Sequence, residues 1–164
     1  MRRILSTIIP VGVLAVTLTA AAQQATQISP KLKDTIDHMK AYAATKQGLV
    51  SRTAQGTTYY KWIQSPPAGV EKAFFQLIEM NTGRKFLCLK LLRKTAEGSE
   101  VMVLNDNNMS STVEEAFRAT GRTYADADRA IQTSQDKVKV PVTPEMNATW
   151  VAMLDELKWE LRAE

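Results

Sequence analysis

Apolar positions along this chain change their spacing twice, dividing it into a helical start, an extended middle and a helical end. Leu32, Ile36, Met39 and Ala43 recur at the three- to four-residue interval that lines one side of a helix. Ser29 and Pro30 precede them as a capping residue and a ring suited to the first helical position, so a helix is expected over residues 30–47. Residues 57–63 are rich in Thr and aromatic side chains, as strands are, and stop at Ser65-Pro66-Pro67. Residues 84–93 and 100–105 flank a turn containing Gly98 and read as a hairpin. Residues 70–80 are ambiguous. As a helix they would gather Val70, Ala73, Phe74, Leu77 and Ile78; as a strand they would join residues 84–93 through Asn81-Thr82-Gly83. The strand is preferred because the short loop pairs two apolar runs without leaving an orphan edge.

After Asp106 the helical spacing returns. Ser111-Thr112-Val113-Glu114 matches a capping box and predicts a short helix closed by Gly121. A second short helix is expected over residues 124–133, a short strand over 137–142, and a last helix capped by Thr143 and Pro144. In that helix Met146, Trp150, Met153, Leu154, Leu157 and Leu161 share one side. Trp159 falls about 180° from Trp150, among Glu145, Asp155 and Glu156. The expected class is α+β: a four-stranded antiparallel meander with the N- and C-terminal helices over one face, in two layers.

Residues 1–22 read as a secretion signal, with basic Arg2 and Arg3, an apolar stretch and Ala20-Ala21-Ala22 as a cleavage site. Pro10 and Gly12 interrupt the apolar stretch, which argues for cleavage over a retained membrane anchor, and no Cys follows it to carry a lipid. Residues 23–164 are then one domain, periplasmic or secreted, with no stable membrane anchor. Arg2 and Arg3 also supply half of the net charge of +4, so the electrostatic footprint of a nucleic-acid binder is not expected.

Candidate chemistry is sparse. Cys88 has no partner for a disulfide and lies between Leu87 and Leu89, the setting of a buried, inert thiol. His38 follows Asp34 by four residues, which makes an exposed polar pair, and no second His completes a metal site. Ser134-Gln135-Asp136-Lys137 matches S-x-x-K without the partner motifs of the enzymes that use it. Asn105 to Asn108 resemble the start of a calcium loop but lack its Gly and its final Glu. Neither a cofactor nor a metal site is expected. Carboxylate chemistry is the enzyme option left, with Glu71, Glu79, Glu97, Glu100, Asp106, Asp126 and Asp128 available and no pair singled out by spacing. No catalytic residue can be named.

Contact residues are easier to suggest than catalytic ones. In a strand, Tyr60 and Trp62 fall on one side and Tyr59 and Lys61 on the other. Such aromatic and basic faces either pack under a helix or stack on a saccharide or a protein partner. Trp159, Tyr60 and Trp62 are therefore the candidate contact residues of an exported binding module, an inhibitor, immunity or accessory protein. The alternative from another class is a carboxylate-dependent hydrolase acting on envelope polysaccharide.

Overall fold

The computed structural model describes residues 28–133 and 137–163, without the side chains of Lys31, Trp159 and residues 161–163. The expected leader, and most of the S-x-x-K motif, lie outside them. The first helix, α1, spans Pro30–Thr45 and starts as the Pro suggests, with the amides of Leu32 and Lys33 bonded to the Ser29 carbonyl. There follow β1 (Val50–Arg52), β2 (Thr58–Gln64), β3 (Lys72–Glu79), β4 (Lys85–Thr95), β5 (Gly98–Asp106) and β6 (Glu115–Gly121). Then come α2 (Tyr124–Gln132), β7 (Val138–Val140) and α3 (Pro144–Ala163). Within residues 70–80 the strand alternative is the one formed, over Lys72–Glu79, and the 95–99 turn joins β4 to β5.

The expected four-stranded, two-layer arrangement is corrected. Among the described residues, seven strands form a single antiparallel sheet in chain order, accompanied by three helices. The extra strands have physical reasons. β1 is three exposed residues paired to β2, too short to carry an apolar pattern. The capping box at Ser111 does not open a helix, because the buried carboxylate of Asp106 takes the amides of both Ser110 and Ser111. Ser111 lies at φ 78°, outside the helical region. The Glu114 amide then bonds to the Asn105 carbonyl, and Glu115–Gly121 continues as a strand beside β5.

Strand alternation sends side chains to two cores on opposite faces of the sheet. On one face Phe75, Leu77, Leu87, Leu89, Leu91 and Leu104 pack under α1 and α3, with Leu32, Ile36, Met39, Trp150, Met153 and Leu157 closing the layer. On the other, Cys88, Leu92, Val101, Val103 and Ala119 meet Ala127, Ala130 and Ile131 of α2. The helices therefore make three layers with the sheet in the middle. α2 is fixed at its start by a reciprocal bond between Thr123 and Asp126, a capping box that the sequence reading passed over. It lies against the end of β6 so closely that a Cβ on Gly121 would stand 2.5 Å from the Ala127 nitrogen.

Candidate functional site

The two faces of the sheet are not covered alike. α1 and α3 spread over the first face, while α2 packs on β5 and β6. This leaves the α2-side residues of β2, β3 and β4 lining a trough: Tyr59, Lys61 and Ile63 on β2, Lys72, Phe74, Gln76 and Ile78 on β3, Cys88 and Lys90 on β4. The register sets Ile63 opposite Phe74, and Phe74 opposite Lys90. Ile63 remains 64% exposed.

Two hollows open in this trough. One, of about 570 Å³, is lined by Lys61, Ile63, Lys72, Phe74, Leu92 and Tyr124, together with the acids Glu71 and Asp128. The other, of about 650 Å³, is lined by Tyr59, Gln76, Cys88, Asn105, Phe117 and Gln132 among others. Asp128 belongs to the first and Lys90 to the second, and their charged atoms lie 2.8 Å apart.

Lysines gather around one ring. The Lys61 ammonium stands 4.0 Å from the centroid of Phe74 and that of Lys90 5.7 Å from it. Burial pushes the Lys61 pKa below that of an ordinary lysine, helped by the like charges of Lys90 and Lys72 and opposed by Asp128. The Glu71 carboxyl is also held below its usual range, which for an acid favours the charged form: the hydroxyl of Tyr124 donates to it, Lys94 lies 3.1 Å away and the charge of Lys72 adds to the effect. The Tyr124 phenol is pushed up to about 12 by desolvation and by that bond. At the floor of the second hollow, burial pushes the Cys88 thiol up to about 12, and its S–H donates to the Gln76 carbonyl at 3.4 Å. A thiol in that state is a poor nucleophile.

Of the contact residues suggested by the sequence, Tyr60 and Trp62 lie on the opposite face of the sheet, while Glu71 and Asp128, among the candidate acids, line the first hollow. Trp62 is 4% exposed under α1 and α3, its ring 3.9 Å from that of Tyr42 and its indole N–H bonded to Glu160. Tyr60 is partly buried against the same core, with the Lys40 ammonium 5.2 Å from its ring. The Trp159 side chain is outside the described residues. His38 and Asp34 make an exposed pair on α1, 3.3 Å apart. Asp106 is buried at the end of β5, and that burial raises its pKa against the bonds from the Ser110 and Ser111 amides. Glu79 is tied to Lys40 and Lys85, Glu100 to Arg118, and Asp126 to its cap. Among the described residues no cluster of His, Cys, Asp and Glu has the makings of a metal site.

Sequence reasoning missed Lys61, Lys72, Lys90 and Phe74 as a group. The one available signal is alternation: it places Tyr59 and Lys61 together, opposite Tyr60 and Trp62, but carries no information on Lys72, Phe74 and Lys90, which lie on other strands. No family model, curated protein or solved structure matches this chain.

Proposed function

We propose that this protein is an exported binding module whose binding surface is the open part of the second sheet face. The observation that supports the reading is the unequal cover of the sheet, which leaves Ile63 exposed beside Phe74 within a walled hollow that also holds cations. A single exposed Ile is ordinary on a protein surface. An Ile next to an aromatic ring, in a hollow of about 570 Å³ with charged groups at its rim, has the size and mixture of a ligand site. The exported setting rests on the leader read in residues 1–22.

Hydrolysis by paired carboxylates needs one acid kept protonated near neutral pH. Of the two acids beside this hollow, Glu71 is held ionised by Tyr124 and Lys94, and Asp128 is bound to Lys90. That pairing suits binding better than acid catalysis.

Titration of the isotope-labelled exported protein with a mixed set of carboxylates, neutral sugars and short peptides tests the surface. Amide shifts should cluster on β2, β3 and α2; shifts confined to α1 and α3, or none with any class, overturn the reading. N-terminal sequencing of the exported chain should begin at Gln23, and a chain that still carries Met1 overturns export with cleavage after Ala22.

A further inference from the structure

We propose that the hollow between β2, β3 and the start of α2 is a site for a small organic anion, its charged group held by Lys61 and Lys72 and its apolar body laid on Phe74, Ile63 and Leu92. The proposal rests on the binding-surface reading above and names the class of ligand.

Charge balance within the hollow selects an anion. Both acids there have their ion-pair partners outside the lining, Glu71 with Lys94 at 3.1 Å and Asp128 with Lys90 at 2.8 Å, and act on Lys72 and Lys61 only through longer-range attraction. Among the described residues no carboxylate lies within ion-pair distance of Lys61 or Lys72. Lys61 is also held in place, because its ammonium rests 4.0 Å from the centre of the Phe74 ring. With Lys90 on the same ring at 5.7 Å, it faces a like charge in partly desolvated surroundings. An anion seated between Lys61 and Lys72 relieves that repulsion and replaces the water that burial has removed.

The apolar lining decides what the anion is attached to. Ile63, Phe74, Pro66 and Leu92 border the same space, and a bare inorganic ion would leave them wet. A carboxylate or phosphate on an alkyl or aryl group covers them. The lysines act as point charges and do not distinguish the two head groups by geometry, so both belong in the test.

Calorimetric titration of the exported protein with octanoate, phenyl phosphate and inorganic phosphate, for wild type, Lys61→Met and Lys61→Arg, provides it. At least one organic anion should bind the wild type, Lys61→Met should weaken it at least about tenfold, and Lys61→Arg should retain most of the affinity. Octanoate and phenyl phosphate tell a carboxylate site from a phosphate site. In carbon-13 spectra of labelled lysine, the Lys61 titration should move to higher pH when the preferred anion is bound. Should Lys61→Met not fold, the same titration on wild type and on Lys72→Met decides the matter. Inorganic phosphate binding as tightly as either organic anion, or an unchanged Lys61→Met affinity, overturns the proposal. Neutral sugars or peptides that bind the trough when no anion does would sink this assignment alone. No binding by any class would sink the surface reading with it.

Discussion

Lys90 Nζ lies 2.8 Å from Asp128 Oδ1, and this contact ties the middle of the sheet to α2. Lys90 is a cation in an otherwise apolar stretch of β4, and the residue is only 9% exposed. Its stem crosses the sheet face while its charge meets an acid at the rim of the trough, where each partner lines a different hollow. A charged residue in the run from Leu87 to Leu92 is thus explained by the position of α2 over one side of the sheet.

Removing the acid should cost more than removing an acid from a surface pair. Asp128→Ala leaves the Lys90 ammonium poorly hydrated and facing Lys61, a loss of about 1–3 kcal/mol. Asp155→Ala breaks an exposed i,i+3 pair with Lys158 and should stay within about 0.5 kcal/mol of wild type. Urea denaturation of both variants checks the difference; equal midpoints would mean that water satisfies Lys90 as well as Asp128 does.

Cys88 should be silent in the folded protein. Its thiol is buried and pushed up to about 12, so the thiolate that reacts with disulfide reagents is scarce even at mildly alkaline pH. An aromatic disulfide reagent should label it only as the chain unfolds, and thermal melts with and without a reducing agent should coincide. Rapid stoichiometric labelling of the native protein would contradict this.

Acid stability should depend on Glu79. Burial alone would raise its pKa, but bonds from Lys40 at 2.8 Å and Lys85 at 3.0 Å outweigh burial and bring it below the ordinary 4.5. A carboxyl with a depressed folded-state pKa contributes stability that is present above its unfolded pKa and lost as pH falls through the folded one. Wild type should therefore lose stability below the ordinary glutamate range. Glu79→Gln should start about 1–2 kcal/mol less stable at neutral pH and show a flatter acid limb. Denaturation midpoints measured across that range give the comparison, and parallel curves would rule out this linkage.

Both terminal helices were legible because Leu32, Ile36 and Met39, and then Trp150, Met153 and Leu157, keep one face apolar and bury it in the same core. The long strands β2 to β5 were legible from composition and from turns that Gly83 and Gly98 permit. β6 was not. Its approach carries a helix-start motif whose outcome is decided by a carboxylate four and five residues upstream, since Asp106, buried at the end of β5, takes the amides of Ser110 and Ser111. Gly121 has the position of a helix stop in the sequence, yet its need for glycine comes from the α2 backbone pressing on it. The trough was hidden for a related reason. Lys61, Lys72 and Lys90 stand on three strands and meet through strand register, which alternation within any one strand does not supply.

Trp150 offers the sharpest test of the core between the sheet and α3. Its side chain is fully buried, edge-on to Phe75 with ring centres 5.3 Å apart. Trp150→Ala should cost about 3–5 kcal/mol through the cavity it opens. The indole N–H is buried and has no hydrogen-bond partner among the described residues, so the native state already bears the desolvation of that donor. Phenylalanine removes the donor and keeps a ring against Phe75, and Trp150→Phe should cost only about 1–2 kcal/mol. The neighbouring Val151 is 49% exposed on the outer side of α3, and Val151→Ala should change stability by less than about 0.5 kcal/mol. Urea midpoints should therefore rank Val151→Ala near wild type, then Trp150→Phe, then Trp150→Ala. A Trp150→Phe variant as damaged as Trp150→Ala would show that the full indole volume is required and that loss of the orphan donor brings no relief. A Val151→Ala variant as damaged as either would place the outer side of α3 in a buried contact.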